Sequence, residues 1–344
     1  MGWTRGHVLG HGSSATVSTA TTATGETFAV KSVVVSKSET LQREQQFLSI
    51  LSSPYVVSYT GCDITKENKK MIYNLLMEYM PGGTVIDVIQ ARNYGSLNEL
   101  EIANYTRQII QGLEYIHSFG IVHCDIKGAN ILVNKNGVKI ADFGCAKWAN
   151  EDVPFRGTPM FMAPEVARGE SQGFKADIWA LGCVIIEMAI GNSPWSNVNS
   201  PISVLYKIGF SGESPDIPDG FSPKAKDFIK KCLIQDPEAR WSATALLKHP
   251  FLEQFDHDQD QNFLTCSPTS ILDQDVWGSI QQSALVGSDY NQETCTSNSL
   301  RQRVEQLAGN PEKGKFRSGA EKEIDWMTIR SSCNGAVTGG DEWW

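Results

Sequence analysis

The stretch that most constrains the fold is a polar loop, residues 121–133, between an apolar helical pattern and an apolar hairpin pattern. Its polar side chains follow the spacing H-x-D-x-K-x-x-N: His123, Asp125, Lys127 and Asn130. A second acidic motif, Asp142-Phe143-Gly144, comes directly after the hairpin. Together they supply a proton acceptor, a cation and two oxygen ligands for a hard metal ion, the groups that phosphoryl transfer requires. Taken alone, the first motif also fits an ordinary polar turn.

Length and charge limit the class of protein. With 344 residues, 41% of them apolar, the chain is expected to be globular with two lobes or domains. The net charge of −9 is concentrated in the C-terminal part, because residues 1–251 are almost neutral. This neutrality argues against nucleic acid as the main partner.

Cysteine usage and hydropathy indicate an intracellular protein. The 8 cysteines include no C-x-x-C pair, which favours reduced thiols over a zinc site or a disulfide framework. The N-terminus lacks an apolar signal region, and Gly2 matches a myristoylation signal poorly. The longest apolar run, residues 178–190, is too short to span a membrane. We therefore expect a protein of the cytoplasm or nucleus without a membrane span.

The N-terminal part predicts β-strands around a glycine turn. Residues 8–35 alternate as three strands would, with a second turn at Gly25-Glu26. The first turn has the form G-x-G-x-x-A-x-V, in which glycine lets the backbone approach phosphate oxygens closely. Its residues are Gly10, His11, Gly12, Ser13, Ser14, Ala15, Thr16 and Val17. Two glycines alone also serve turn geometry, and Ala15 replaces the usual third glycine.

Lys31 and Glu44 are predicted to meet. Strand alternation places Lys31 on the same face as Ala29, under the glycine turn. Glu44 lies on the apolar face of a helix expected over residues 39–51. A carboxylate on a buried face needs a cation, and Lys31 is the candidate. An ordinary structural ion pair, or a partly exposed Glu44, is the alternative.

The remaining patterns complete two lobes. They predict strands at 56–61 and 71–78, a long amphipathic helix at 97–118, and a hairpin of 131–133 and 138–140 with its turn at Asn136-Gly137. The turn cluster Tyr79–Gly83 marks the boundary between a β-rich lobe and a helical lobe. The hairpin brings Asp125 and Asp142 to one edge.

In order and spacing, these elements resemble the protein-kinase signature over residues 3–252. Residues 157–165 are similar to the substrate-docking segment that ends in A-P-E, and residues 177–182 to the start of the buried central helix. Arg240 stands where that family pairs an arginine with the glutamate of A-P-E, here Glu165. The resemblance implies an α+β, two-lobed protein kinase fold.

The resemblance also implies catalytic roles. Asp125 would accept the proton of the attacking hydroxyl, and Lys127 would neutralise charge on the transferred phosphate. Lys31, positioned by Glu44, would hold the α- and β-phosphates of ATP. Lys127 together with Gly157-Thr158, in the substrate-docking segment, is similar to serine/threonine kinases rather than tyrosine kinases.

Metal and nucleotide sites are implied in the same way. Mg²⁺ would be bound by Asn130 and Asp142, with ATP as the co-substrate. The implied ATP-binding residues are Leu9, Gly10, His11, Gly12, Ser13, Ser14, Ala15, Thr16, Val17, Ala29, Lys31, Glu78 and Met80. Structural roles are implied for His123, Phe143, Glu165, Asp177 and Arg240.

Within the protein kinases, the motif sequences of this chain are similar to those of short, single-kinase-domain plant MAP kinase kinase kinases of the MEKK-like class. Matching phrases include HCDIKGANILV at 123–133 and KIADFGCAKW at 139–148. This implies a MAP kinase kinase as protein substrate, in stress or abscisic acid signalling. The alternatives are a catalytically silent scaffold and an immune-signalling kinase. A scaffold's usual mark is the loss of a catalytic residue, and the matching positions are intact.

Two departures from the family pattern concern regulation. Cys124 replaces the arginine that usually precedes the catalytic aspartate and binds an activation-loop phosphate. Residues 145–157 contain no Ser, Thr or Tyr. Without a phosphate acceptor in this loop, an arginine at position 124 would have no phosphate to bind, so neither absence by itself indicates an inactive enzyme. We therefore predict activity that needs no phosphorylation of the central activation loop.

The expected domains are a kinase domain at 1–254, with lobes at 1–80 and 81–254, and an acidic tail at 255–344. The tail is rich in Ser, Thr and Gln, which predicts disorder over most of its length. Three tryptophans stand out in it: Trp326, Trp343 and Trp344. They are either a docking motif for a regulator or incidental exposed aromatics.

Overall fold

A computed structural model describes residues 2–12, 15–92, 95–195, 198 and 200–253. Two residues implied in ATP binding, Ser13 and Ser14, lie outside the described residues, and so does the expected tail. The described part consists of a β-rich N-terminal lobe and a mainly helical C-terminal lobe. The α+β, two-lobed architecture is as the sequence predicts.

The N-terminal lobe is built on one antiparallel sheet. Its strands are β1 (Trp3–His11), β2 (Thr16–Thr22), β3 (Thr27–Val34), β4 (Tyr59–Glu67) and β5 (Lys70–Glu78). They lie in the order β1-β2-β3-β5-β4. Gly25 closes the β2–β3 hairpin at a φ of +88°, a region that glycine adopts without steric cost. Because β3 is central, Lys31 stands in mid-sheet, opposite Val17 on one side and Leu75 on the other.

Helix α1 (Glu39–Ile50) covers one face of this sheet. Phe47 and Leu48 are buried in the same hydrophobic core as Leu75 of β5. Glu44 precedes Phe47 by three positions, so it lies on the same side of the helix and is also buried. The apolar packing of α1 therefore carries one carboxylate into the interior.

The bounds predicted for the fourth strand, residues 56–61, are wrong. The strand begins at Tyr59 and continues to Glu67. Val57 instead donates its backbone N–H to the carbonyl of Ile140 in the C-terminal lobe, at 2.9 Å. Since β4 is an edge strand whose residues are alternately half-buried and exposed, hydrophobicity does not mark its ends.

The two lobes are joined through the turn cluster Tyr79–Gly83. The Gly82 N–H donates to the Val133 carbonyl at 3.0 Å, and the Val133 N–H donates to the Gly83 carbonyl at 2.8 Å. A Cβ on Gly82 would come within 2.6 Å of the Val133 carbonyl oxygen. Glycine is therefore required where the linker crosses the hairpin of the other lobe.

The C-terminal lobe is assembled around one buried helix. Its helices are α2 (Val85–Gln90), α3 (Glu99–Ser118), α4 (Pro164–Ala167), α5 (Phe174–Ile190), α6 (Pro201–Phe210), α7 (Pro223–Cys232), α8 (Ala243–Leu246) and α9 (Pro250–Glu253). Helix α5 is buried on nearly all sides, as a helix apolar all round must be. A capping box of Asn98 and Glu101 begins α3. No helix in the described ranges has the length and apolar character needed to cross a membrane.

Short strands carry the predicted loop. They are β6 (Ile121–Val122), β7 (Ile131–Asn134), β8 (Gly137–Ile140) and β9 (Lys147–Trp148). The β7–β8 turn lies one residue earlier than predicted, at 135–136, because Gly137 already pairs with Asn134. The Asn134 side-chain oxygen accepts the Asn136 N–H at 2.7 Å, a local bond that competes with strand continuation.

Candidate active site

Lys31 is shared by two carboxylates from different elements. Its ammonium lies 2.7 Å from Glu44 Oε2 on α1 and 2.9 Å from Asp142 Oδ1, beyond β8. The lysine is largely buried, and Glu44 is only 1% exposed. The expected contact between Lys31 and Glu44 is thus present, and it extends to Asp142.

Burial and charge oppose each other in this cluster. Burial raises the pKa of Glu44 to about 7, despite the facing Lys31 ammonium. Its Oε1 atom is buried and has no hydrogen-bond partner among the described residues. Burial alone would lower the pKa of Lys31, but the charges of Glu44 and Asp142 raise it above its usual value. Although burial opposes it, Lys31 holds the pKa of Asp142 below its usual value.

Asp142 and Phe143 are fixed by the loop that carries His123. Asp142 has a φ of +62°, and its Oδ1 accepts the Gly144 N–H at 3.2 Å. Phe143 is fully buried and packs edge-on against the His123 ring, with centroids 4.9 Å apart. His123 Nε2 donates to the Ala141 carbonyl at 3.1 Å. These contacts link the acidic motif to the polar loop.

Asp177, on the buried helix α5, holds the backbone of the polar loop. Its two oxygens accept the N–H groups of His123 and Cys124, each at 2.9 Å, and Oδ2 also contacts His117 Nε2 at 2.9 Å. Cys124 has a φ of +67°, which is rare for a residue with a side chain. The carboxylate thus stabilises a strained turn directly before Asp125.

Asp125 lies in a network of side chains that orient both of its oxygens. Oδ1 accepts from the Thr158 hydroxyl at 2.7 Å, and Oδ2 lies 2.9 Å from the Lys127 ammonium. Asn130 Nδ2 donates to the Asp125 carbonyl at 2.8 Å and to Oδ2 at 3.1 Å. Lys127 also donates to the Thr158 hydroxyl at 2.8 Å. The Asp125 side chain therefore contacts the side chains of Lys127, Asn130 and Thr158.

The donor set of Asn130 and Asp142 fits a hard metal ion. The Ala141 N–H bonds to the Asn130 carbonyl at 2.9 Å, which brings the two residues together. Asn130 uses its amide nitrogen toward Asp125, so its oxygen is available. Lys31 and Gly144 both use Oδ1 of Asp142. An amide oxygen and a carboxylate oxygen without other partners in the described chain are the ligands that Mg²⁺ prefers.

The glycine turn lies beside Lys31. The strand register places Val17 opposite Lys31, and Ala29 lies two residues before Lys31 on the same strand. All three side chains therefore lie on one face of the sheet. The Gly12 N–H donates to the Ala15 carbonyl at 2.8 Å. Of the other implied residues on this turn, Leu9 is exposed and His11 contacts the Thr16 hydroxyl at 3.3 Å.

The side chains of Glu78, at the end of β5, and Met80, in the linker, bond to residues of the C-terminal lobe. Glu78 bonds to Lys139 Nζ at 2.6 and 2.9 Å and accepts the Ser58 N–H at 2.8 Å. Met80 is buried, with its sulfur 3.3 Å from Asn134 Nδ2. The side chains of Glu78 and Met80 therefore already have partners within the described part of the chain.

The docking segment and the polar loop approach each other closely. Gly157 has a φ of +115°, and a Cβ there would come within 2.2 Å of the Cys124 carbonyl oxygen. Glycine at this position allows Thr158 to reach Asp125. The Cys124 thiol is buried, and burial raises its pKa, with the charge of Asp177 adding to the effect. It is an uncharged group, so it offers a phosphate no cation.

Glu165 and Arg240 form the ion pair that the sequence predicts. The guanidinium donates to both carboxylate oxygens, at 2.7 and 2.9 Å. It also donates to the backbone carbonyls of Ile234 and Lys175, at 2.8 and 2.6 Å. Both side chains are buried. This pair fixes the docking segment to the end of the lobe.

Sequence reasoning missed three contacting residues. Arg43 of α1 pairs with Glu151, and it donates to the Ala146 carbonyl at 3.2 Å. The buried Gln172 exchanges hydrogen bonds with the backbone of Arg156, at 2.9 and 3.3 Å. The available signal was the position of Arg43 directly before Glu44. Nothing in the sequence identifies its partner.

The comparisons with known proteins agree with this geometry. A family model described as the protein kinase domain matches residues 3–252. The chain is 52% identical over 294 residues to mitogen-activated protein kinase kinase kinase 18 of Arabidopsis thaliana, covering 82% of this chain and 86% of the relative. It is 43% identical over 360 residues to mitogen-activated protein kinase kinase kinase 17 of the same plant, covering 99% and 96%.

These matches confirm both the resemblance and the fold expected from the motifs. The family model covers more than half of the chain, and the relatives align over most of their own length. The chain therefore belongs to the protein kinase family and is a serine/threonine protein kinase related to plant MAP kinase kinase kinases.

Proposed function

We propose that this kinase transfers the γ-phosphate of MgATP to serine or threonine residues of a MAP kinase kinase. The observation that carries the proposal is the contact network of Asp125, Lys127, Asn130 and Thr158, adjacent to the cluster of Lys31 and Asp142. The names of the relatives supply the substrate class, since both are MAP kinase kinase kinases.

In the proposed reaction, each residue acts through atoms that are already oriented. Asp125 accepts the proton of the substrate hydroxyl, and its carboxylate is held by Asn130 and Lys127. Lys127 stabilises the charge of the transferred phosphoryl group. Lys31 binds the α- and β-phosphates, with Glu44 limiting its movement.

Asn130 and Asp142 are the proposed Mg²⁺ ligands. When bound, Mg²⁺ neutralises negative charge on the phosphate oxygens and so favours transfer. The turn around Gly10 is proposed to cover the phosphates. A Cβ on Gly10 would meet no described atom within 4 Å, so packing does not demand glycine there, and the open face suits a close ligand.

Regulation is proposed to be independent of phosphate on the central activation loop. Residues 145–157 offer no hydroxyl, and the Cys124 thiol offers no cation. Activity would then be set by protein amount, by partner binding or by the tail at 255–344. We propose stress or abscisic acid signalling as the context, in the cytoplasm or nucleus, on the similarity of phrases such as HCDIKGANILV to the plant MEKK-like class.

The test is a phosphate-transfer assay with purified protein on a panel of MAP kinase kinases. We expect Mg²⁺-dependent labelling of Ser or Thr in at least one of them. The matched controls are Asp125→Asn, which removes the proton acceptor, and Lys31→Met, which removes the phosphate ligand. Both variants should lose labelling while remaining folded.

The same assay decides between the proposal and its rivals. Equal labelling by the wild type and Asp125→Asn would reveal a contaminating activity and would favour a silent scaffold. Transfer to other proteins but to no MAP kinase kinase would keep the enzyme and reject the substrate, which would favour an immune-signalling kinase.

A further inference from the structure

We propose that Glu151 is a positioning residue: a permanently encoded anion that holds helix α1 against the segment after Asp142, so that Glu44 stays in contact with Lys31. The inference rests on the proposed function, because it explains how activity arises without a phosphate in residues 145–157. It concerns Glu151 and Arg43, which lie outside the set of residues that contact the reacting groups.

Residues from two elements, α1 and β9, bind Glu151. Its carboxylate pairs with the Arg43 guanidinium on α1 and accepts the Trp148 N–H at 3.2 Å. Its backbone carbonyl accepts from Lys147 Nζ at 3.2 Å. Glu151 therefore contacts one cationic side chain from the N-terminal lobe, Arg43, and another from β9, Lys147.

The second observation is that the same helix makes parallel contacts nearby. Arg43 Nε donates to the Ala146 carbonyl at 3.2 Å. Its guanidinium lies 5.5 Å from the centroid of the Phe47 ring, and that ring packs against Trp148 at 5.4 Å. The contacts with Ala146 and Trp148 join α1 to the short segment around β9, while the contact between Arg43 and Phe47 lies within α1.

The third observation is the position of Arg43 directly before Glu44. Neighbouring residues on a helix point about 100° apart, so two fixed neighbours define the rotation of the helix about its axis. Glu44 is held by Lys31 on one side, and Arg43 is held by Glu151 on the other. If Arg43 is released, the rotation that keeps Glu44 facing Lys31 is no longer defined from both sides.

The charges around Glu151 favour its anionic form. The hydrogen bond from Arg43 lowers the pKa of Glu151, and the charges of Arg43 and Arg156 contribute in the same direction. From the neighbouring strand, Lys147 adds a further cation at the Glu151 carbonyl. In many regulated kinases such a charge arrives only as phosphate. Here it is present from synthesis.

The test measures ATP affinity and steady-state kinetics of the full chain on the MAP kinase kinase that it labels best. Glu151→Gln keeps the shape of the side chain and removes its charge. We expect kcat/KM to fall about 2- to 5-fold, as suits a partly exposed pair. The KM for ATP should rise, because Lys31 would bind phosphate less well. Glu151→Asp should retain more activity than Glu151→Gln.

Two controls separate positioning from general stability. Asp152→Asn makes the same charge change at the next, exposed residue and should leave the kinetics unchanged. The charge reversal Arg43→Glu with Glu151→Arg should recover much of the activity that either single change removes. Recovery by the double variant is not expected if each residue merely contributes to folding.

The proposal is overturned if Glu151→Gln matches Asp152→Asn in kcat/KM and ATP affinity, or if the double variant is no better than the single ones. ATP affinity can be measured without any protein substrate. A wild type that binds MgATP but labels no MAP kinase kinase would therefore reject the proposed function, while the ATP affinities of the variants would still decide the role of Glu151.

Discussion

Two buried ion pairs, one in each lobe, differ in how fully their charges are satisfied. In the C-terminal lobe, both oxygens of Glu165 accept from Arg240, whose other N–H groups bond to backbone carbonyls. In the N-terminal lobe, one buried oxygen of Glu44 has no hydrogen-bond partner within the described part of the chain, and the lysine that Glu44 contacts is shared with Asp142. An ion pair whose charged atoms all have hydrogen-bond partners holds one fixed geometry. A lysine that is shared by two carboxylates can instead release one of them and bind a phosphate.

The largest effect is expected from breaking the satisfied pair. Arg240→Met would leave the Glu165 carboxylate buried without its cation, which costs about 3–5 kcal/mol of unfolding free energy. Urea denaturation measures this change. Arg168→Met, at an exposed pair with Glu170, is the matched control and should have a much smaller effect. Equal losses in the two variants would contradict the contrast drawn between buried and exposed pairs.

Lys31→Met should separate activity from stability. We expect phosphate transfer to fall at least about 100-fold, since a charge that stabilises the transition state is lost. Unfolding free energy should fall by less than in Arg240→Met, because Glu44, whose pKa is about 7, can take up a proton near neutral pH once the Lys31 ammonium is gone.

Assay and urea denaturation of the same preparation provide both readouts. Lys70→Met, at an exposed position of β5, is the control for the loss of a lysine from this sheet. If Lys31→Met lowers the unfolding free energy as much as Arg240→Met does, the two ion pairs contribute equally to stability.

A smaller effect is expected from pH. The pKa of Glu44 is raised from 4.5 to about 7, so its protonation as the pH falls through 7 removes the carboxylate that positions Lys31. We expect kcat/KM for ATP to decline by up to about tenfold per pH unit below that point. Stability has the opposite sign: the folded state binds the proton more tightly, so this carboxyl's contribution is full below pH 4.5 and is lost as the pH rises through 7.

Glu187 must be separated from Glu44 in that experiment. Burial also raises the pKa of Glu187 to about 7, while its bond from the Gly128 N–H opposes the shift. Glu187→Gln should retain the acidic decline in kcat/KM for ATP, and Glu44→Gln should remove it. The opposite result would assign the decline to the C-terminal lobe.

The smallest effect is expected from phosphatase. Treatment of active protein should leave its activity unchanged, since residues 145–157 contain no phosphate acceptor and Cys124 has no charge with which to bind one. Mass spectrometry before and after treatment identifies any phosphate removed. Loss of activity traced to Thr158, which instead contacts Asp125 and Lys127, would contradict the prediction.

Sequence reasoning succeeded where a local pattern has one physical solution. The alternation of β3 was enough to put Ala29 and Lys31 on one face, and the apolar spacing of α1 was enough to bury Glu44. It failed at β4, where an edge strand carries no hydrophobic alternation, and at the β7–β8 turn, where the Asn134 side chain makes a local bond.

The order of residues alone establishes the chemistry available to this kinase: the acids, bases and ligands that it carries, and the absence of a side-chain hydroxyl from residues 145–157. The tertiary structure adds a charge contact that no sequence pattern indicated. Arg43 and Glu151 are 108 positions apart, and nothing in the sequence identifies them as partners. Such pairs form only after helices and loops pack, because the energy of a contact depends on burial and geometry that no local pattern contains.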